Sequence, residues 1–251
     1  NHEKIGENTT YLGSMPYTDR LDYFCSLTNN WAYALTVEKL AGLQAPERAE
    51  YIRVIAVELN RIASHLVAFG TFGLDMGSFT AVLYAFRERE RILDMFEEAC
   101  GARLTYSYIT PGGLTADLPR GWTDTCLAFL VQFEPVIQEY HTLLTSNTIF
   151  IKRTAGIGVL SPEMAIDYGC TGPVLRGSGI RWDLRKSQPD CAYNEFDFDI
   201  PVGVNGDTYD RYLVRVEELR QANRIIKQCV DWLKQNPGPV MIDDLKVVPP
   251  R

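Results

Sequence analysis

The chain lacks the sequence features of several protein classes. No run approaches the ~18 consecutive apolar residues that a membrane-spanning helix needs. The net charge is −7 and no block of basic residues occurs, so we expect no nucleic-acid partner. The six cysteines include no CxxC pair, which indicates a reducing compartment rather than a fold held by disulfides.

Motifs of the common catalytic and nucleotide-binding sites are also missing. The glycine pairs at 156–158 and 177–179 lack a third glycine, no GK[ST] occurs, and there is no GxSxG. The three histidines, His2, His65 and His141, lie too far apart in sequence for a zinc-ligand pattern. We therefore expect no bound metal, no nucleotide and no cofactor, and we interpret His65 as a packed or surface residue.

Helical periodicity dominates what is present. Apolar residues recur at three- and four-residue steps, and the pattern predicts long helices near residues 22–40, 46–70, 79–101, 124–144 and 207–235, with a short helix at 161–169. The periodicity disappears between residues 170 and 206, where alternation predicts one short strand at 195–200. The prediction is a mainly α protein: one long-helix bundle spanning residues 1–251, with irregular loops and minor β structure.

The stretch Ser14–Ser26 contains a proline, two tyrosines and two aspartates ahead of a helical pattern. It has two interpretations. It is a helix start, with Pro16 preventing helix before it and Asp19 or Asp22 capping the first turn, or it is a functional turn carried by a rigid helix. Spacing alone favours the helix start.

Several motifs follow one another along the chain in the order EKIxE at 3–7, TYL at 10–12, MPYxDRLDY at 15–23, PERAxYIRV at 46–54, LDMG at 74–77, YAFRERE at 84–90 and GSG with DLRK at 177–186. In this order they resemble the quinone-site subunit of respiratory complex I. The resemblance covers the whole chain. It implies the fold of the nickel-iron hydrogenase large subunit, and it implies that the chain is a fragment lacking both ends of the family's sequence.

The resemblance also implies a function. The chain is expected to be a peripheral-arm subunit of the proton-pumping NADH:quinone oxidoreductase, inactive alone, on the cytoplasmic side of the inner (plasma) membrane. Other peripheral-arm subunits, especially the one with the terminal iron-sulfur cluster, and the membrane-arm subunits would be its partners, with quinone as substrate. Alternatives are a related membrane-bound hydrogenase subunit, a subunit serving another donor or acceptor, and a structural scaffold without an active site.

Two catalytic residues are carried over from the resemblance. Tyr17 matches the tyrosine that donates a hydrogen bond to the quinone headgroup, and Asp75 matches the aspartate that pairs with a histidine in a preceding loop. Without the resemblance, a lone tyrosine after a proline is usually a half-buried anchor, and an aspartate in the position of Asp75 is usually a helix cap. Of the hydrogenase metal ligands only Cys25 is present at the first thiolate pair, so we expect no nickel or iron.

Two stretches of the sequence are expected to lie at the surface. The charged run Arg87–Arg91 and the irregular segment 170–206 do not have the pattern of core elements, and we expect both to face partner subunits. Within the segment, Pro189 and Asp190 stand where the family usually has Pro-Tyr, so the local packing of that loop is expected to differ.

Overall fold

The computed structural model describes residues 1–243, and most of them are helical. The elements, in chain order, are α1 (His2–Gly6), α2 (Tyr11–Thr18), α3 (Ser26–Ala41), α4 (Glu47–Asp75), α5 (Phe79–Cys100), β1 (Ile109–Thr110), β2 (Gly113–Leu114), α6 (Trp122–Tyr140), a π-helical turn (His141–Thr145), α7 (Thr148–Thr154), α8 (Pro162–Asp167), α9 (Gly172–Gly177), α10 (Leu184–Ser187), a 3-10 helix (Cys191–Glu195) and α11 (Thr208–Leu233). The mainly α prediction is confirmed. No helix in residues 1–243 combines the length and apolar character required to cross a membrane.

Helix α4 is longer than its sequence pattern predicts. The prediction ended it at Gly70, but the helix continues through Gly73 to Asp75. A Cβ at Gly70 would lie 3.1 Å from the Cα of Val82, and one at Gly73 would lie 2.5 Å from the Cβ of Ala81. These glycines therefore allow α4 and α5 to approach closely, and they do not end the helix.

The proline in α2 does not prevent helix before it, so that prediction is wrong. Pro16 lies in the last turn of α2, and the helix ends two residues later at Thr18. The Thr10 side chain caps the N-terminus by accepting a hydrogen bond from the Gly13 N–H at 3.0 Å. Because the helix is so short, the missing proline donor removes one hydrogen bond without breaking a longer ladder.

Several helix boundaries agree with the sequence. Helix α3 ends at Gly42, whose φ of 68° is the left-handed conformation that glycine adopts without strain. Ser161 caps α8 by accepting from the Met164 N–H at 3.2 Å. Helix α6 contains Pro135 and passes into a π-helical turn at His141–Thr145, where the prediction placed one bent helix. The predicted last helix is confirmed as α11.

The irregular segment 170–206 is built differently from the prediction. The strand at 195–200 is wrong: within residues 1–243 the only named strands are β1 and β2, which pair antiparallel with Ile109 opposite Leu114. The segment instead contains α9, α10 and a 3-10 helix, and its aromatic side chains Tyr193, Phe196 and Phe198 are buried. The segment thus contributes aromatic side chains to the core, although its sequence lacks the pattern of a core element. Its contact with partner subunits stays a prediction.

The charged run in α5 is only partly a solvent-facing surface. Arg87 pairs with Glu88 at 2.6 Å and with Glu139 at 2.8 Å. Glu88 and Arg89 are buried, and the guanidinium of Arg89 lies over the Phe86 ring. Two of the five residues of this run are thus buried within the chain, and its contact with partner subunits stays a prediction.

The chain divides into two compact units, each discontinuous in sequence. Unit 1 comprises residues 1–61, 90–128 and the stretch from 226, and unit 2 comprises residues 62–89 and 129–225. The four longest helices, α4, α5, α6 and α11, contribute residues to both units. The prediction of a single domain over residues 1–251 stays a prediction.

Candidate active site

Tyr17 lies in unit 1, near the C-terminal end of α2. Its side chain is 43% exposed, and its ring centroid is 6.4 Å from that of His2. Among residues 1–243 the phenol hydroxyl has no hydrogen-bond partner. Tyr17 is partly buried, which is compatible with the half-buried anchor interpretation. Its donor is available to a ligand.

Buried hydrogen bonds hold the backbone next to Tyr17. The Thr18 hydroxyl donates to the Met15 carbonyl at 2.7 Å and accepts from the Asn30 side-chain amide at 2.8 Å. Thr18 and Asn30 are both buried. These bonds tie the last turn of α2 to α3, so the exposed Tyr17 side chain is carried by a rigid backbone.

Asp19 has a structural role that the sequence analysis did not identify. Its carboxylate is fully buried and accepts from the Ser107 hydroxyl at 2.6 Å and from the Ser107 N–H at 3.2 Å. Ser107 has a φ of 44°, an uncommon conformation for a serine. The prediction that Asp19 caps a helix is wrong, because its carboxylate anchors the loop after α5. The Asp22 carboxylate accepts from the nearby Phe24 N–H, at 3.2 Å.

Tyr23 is a second exposed phenol that the motif interpretation passed over. It lies in the turn between α2 and α3, is 52% exposed, and has its ring centroid 4.8 Å from that of Phe24. Its hydroxyl also lacks a partner among the described residues. The available signal was its position at the end of the MPYxDRLDY motif.

Asp75 lies in unit 2 as the last residue of α4. It is exposed, and its carboxylate makes no hydrogen bond within residues 1–243. It does not cap a helix N-terminus. A carboxylate at a helix C-terminus faces the negative end of the helix dipole, which is unfavourable by a few tenths of a kcal/mol up to about 1 kcal/mol. Local helix stability therefore does not explain Asp75.

Asp75 lines a cavity of about 370 Å³ within unit 2, between the end of α4 and the start of α11. The apolar part of its wall includes Phe69, Phe72 and Leu219. Its charged and ionisable lining residues are His65, Asp75, Arg211, Tyr212 and Arg215. A cavity with an apolar wall and a few polar groups is the usual form of a site for a small organic ligand.

A buried charge cluster supports this cavity. Glu218 of α11 is fully buried, with one oxygen 2.6 Å from the His65 Nε2 and the other accepting from the Arg176 Nε at 3.1 Å. The Arg176 guanidinium also donates to the Trp182 carbonyl at 3.1 Å. His65, interpreted from the sequence as a packed or surface residue, thus has its ring in contact with Glu218.

The six cysteines are all unpaired by disulfides. Burial raises the pKa of the Cys126 thiol to about 12 and raises the pKa of Cys229 well above its ordinary value. Cys25, just before α3, is partly exposed. Across residues 1–243 no group of three or more His, Cys, Asp or Glu side chains is arranged to hold a metal ion.

The two residues carried over from the resemblance thus belong to different units. Tyr17 is in unit 1 with Tyr23 close to it in sequence, and Asp75 is in unit 2 beside the cavity. Within residues 1–243, neither the Tyr17 hydroxyl nor the Asp75 carboxylate has a hydrogen-bond partner. Their predicted cooperation in one site stays a prediction.

Comparison with known proteins identifies the family. Residues 75–251 match the family model of the 49 kDa subunit of respiratory-chain NADH dehydrogenase. The chain is 51% identical to the D subunit of the NADH-quinone oxidoreductase of Methylobacillus flagellatus, 50% identical to that of Chromobacterium violaceum and 49% identical to that of Burkholderia mallei. In each case the match covers 99% of this chain and 66% of the relative, so the chain spans just under two thirds of their length. The chain belongs to the 49 kDa subunit family of respiratory-chain NADH dehydrogenases.

Proposed function

We propose that this chain forms part of the quinone-reduction cavity of a proton-pumping NADH:quinone oxidoreductase, as one peripheral-arm subunit of the complex. The observation that carries the proposal is Asp75, whose carboxylate has no partner in the described part of the chain and lies beside a cavity with apolar and cationic walls. Membership of the family favours quinone reduction as the reaction. The cavity supplies a place where a ring-shaped substrate would fit.

Quinone reduction requires hydrogen-bond donors at the carbonyl oxygens. These oxygens gather negative charge and then protons as the ring becomes a hydroquinone, so donors directed at them stabilise the transition state more than the ground state. A phenol with a pKa near ~10 stays protonated at neutral pH and can donate. In the proposal Tyr17 is this donor, and Tyr23 is the second candidate because its hydroxyl is equally available.

Asp75 would act through a histidine. The resemblance implies that its partner is a histidine in a segment of the longer relatives that lies outside this chain. A carboxylate next to an imidazole raises the imidazole pKa and fixes its tautomer, which makes the imidazole a proton source. This role explains why a carboxylate is present at an unfavourable helix end.

The remaining parts of the reaction belong to other subunits in this proposal. Electrons reach the quinone from an iron-sulfur cluster in an adjacent peripheral-arm subunit, and membrane-arm subunits move protons. The chain itself binds no cofactor, and it lies peripherally on the cytoplasmic side of the membrane.

The test compares three single-hydroxyl deletions in the assembled complex: Tyr17→Phe, Tyr23→Phe and, as a control from the same helix, Tyr11→Phe. A hydrogen bond to a charged acceptor contributes about 1.5–3 kcal/mol, so loss of the functional hydroxyl should slow quinone reduction roughly tenfold to a hundredfold. Tyr11 is 44% exposed, like Tyr17, so its variant controls for the loss of an exposed phenol on α2.

The same preparations are assayed with a water-soluble acceptor that takes electrons before the quinone step. That rate should be unchanged in every variant. If Tyr23→Phe slows quinone reduction and Tyr17→Phe does not, Tyr23 is the hydrogen-bond donor. Wild-type quinone reduction by both, and by Asp75→Asn, would leave this chain as a structural scaffold.

A further inference from the structure

The cavity beside Asp75 contains two arginines from successive turns of α11, and they differ in their hydrogen bonds. Arg211 is held by the protein, because its guanidinium donates to the Gly206 carbonyl at 2.8 Å, to the Gly158 carbonyl at 2.8 Å and to the Thr208 hydroxyl at 2.9 Å. These bonds fasten two loops to the start of α11. Arg211 therefore has a structural role.

Arg215 is held by a single contact. One terminal nitrogen donates to the Arg211 carbonyl at 2.9 Å, and the guanidinium forms no ion pair with any residue in 1–243. Glu218, three residues further along the helix, already binds Arg176 and His65. Most of the five N–H donors of this side chain therefore have no partner within residues 1–243.

The electrostatic surroundings of Arg215 are unfavourable to a bare cation. Its partial burial lowers the pKa of the guanidinium; Glu218 acts in the opposite direction, and the positive charges of Arg211 and Arg176 lower the pKa further. Arg215 is half-buried, so a ligand that displaced water from its guanidinium would have to replace the lost hydrogen bonds. An anionic oxygen would do this best, because hydrogen bonds between charged groups are the strongest.

We propose that Arg215 binds an anionic oxygen on an aromatic ring ligand in this cavity. The inference rests on the proposed function, in which that ligand is the quinone. Two electrons from the neighbouring iron-sulfur cluster and two protons convert the quinone to a hydroquinone, and negative charge resides on an oxygen before each proton arrives. Arg215 donates hydrogen bonds to that oxygen, remains protonated and takes no electron.

The apolar walls determine which anion fits. Phe69, Phe72 and Leu219 line the cavity together with Arg215, so a ring can pack against them while its charged oxygen meets the guanidinium. A small hydrated anion such as phosphate has no apolar surface to bury there. The cavity should therefore prefer an ionised ring over both a neutral ring and an inorganic anion.

Two naphthoquinones of nearly the same shape but different charge test whether the cavity recognises the charge of its ligand. The probe 2-hydroxy-1,4-naphthoquinone is ionised at neutral pH, and 2-methoxy-1,4-naphthoquinone is its neutral counterpart with nearly the same ring. Binding of each to the assembled, NADH-free complex is measured by calorimetry for wild type, Arg215→Gln, Arg215→Lys and the control Arg220→Gln. Arg220 lies one turn further along α11, where it pairs with Glu134 at 3.0 Å.

We expect Arg215→Gln to weaken binding of the ionised ring by roughly tenfold to a hundredfold, with little change for the methoxy compound. Arg215→Lys should recover part of the loss, because it keeps the charge without the planar pair of donors. Arg220→Gln should bind both probes as wild type does.

Unchanged binding of the ionised ring by Arg215→Gln, or an equal loss for both rings, overturns the inference. If the Arg215→Gln complex does not assemble, the test uses Arg215→Lys instead. Equal changes in affinity for the hydroxy and the methoxy compound would again refute charge recognition. The proposed function is judged separately from turnover. If Tyr17→Phe or Tyr23→Phe slows quinone reduction while Arg215→Gln still binds the ionised ring as wild type does, this inference alone has failed.

Discussion

The ion pair between Arg53 of α4 and Glu38 of α3 offers a direct test of what stabilises unit 1. The Arg53 terminal nitrogens donate to the two Glu38 oxygens at 3.1 and 2.5 Å. Arg53 also donates to the Thr110 carbonyl at 2.9 Å and to the Gly113 carbonyl at 3.1 Å, while Glu38 accepts from the Gly112 N–H at 2.7 Å. The pair therefore fastens the β1–β2 turn to two helices.

The perturbation is Glu38→Gln, which keeps the shape of the side chain and removes its charge. Arg53 is only 1% exposed, so its charge would be left buried without a counterion. Breaking a buried pair in this way costs about 3–5 kcal/mol. The two carbonyl contacts of Arg53 persist, so we expect a loss near the lower end, about 3 kcal/mol. That is a large part of the roughly 5–15 kcal/mol that stabilises a typical domain.

The assay is urea unfolding of the purified chain, monitored by Trp fluorescence and by circular dichroism. With a slope of about 1–3 kcal/mol per molar urea, the midpoint should fall by on the order of 1 M. The control is Glu134→Gln, which removes the half-exposed partner of Arg220 and should cost less than about 1 kcal/mol. If the two variants unfold at the same midpoint, the buried pair does not stabilise unit 1 as argued.

Two further outcomes are expected. Burial alone would raise the pKa of Asp183, but the hydrogen bonds and charge of Arg185 and the charge of Arg176 outweigh burial and hold this pKa below its ordinary value. Its contribution to the free energy of unfolding is therefore complete above about pH 4 and is lost as the pH falls through the folded-state pKa, so Asp183→Asn should flatten acid unfolding curves. Gly113→Ala should lower the melting temperature more than Gly42→Ala, because a Cβ at Gly113 would lie 2.1 Å from the Val240 oxygen while the space at Gly42 is open. Equal melting temperatures would contradict this steric argument.

The sequence alone predicted the helical class, five of the long helices and the family. Helical periodicity is local information, since each apolar stripe needs only side chains three and four residues apart. The same is true of the Gly42 terminus and the Ser161 cap, whose hydrogen bonds close within a few residues. The motifs in order indicated the family, which the comparisons confirmed.

Features that depend on distant partners were decided by the tertiary structure. Gly70 resembles a helix end in sequence, but it is a point of close approach between two helices. Asp19 resembles a cap, but its partner is Ser107, eighty-eight residues away in the chain. The alternation at 195–200 resembles a strand, but its aromatic residues pack into the core without a neighbouring strand to pair with among the described residues.

For the candidate site, too, the sequence indicated some features and the tertiary structure decided others. Sequence motifs singled out Tyr17 and Asp75, because both lie within contiguous patterns. Only the folded chain shows that Asp75 lines a cavity, and that Arg211 is held by loop carbonyls while Arg215, one turn away, is not. Two arginines four residues apart are equivalent in a sequence, and the loops that fold around one of them make them different.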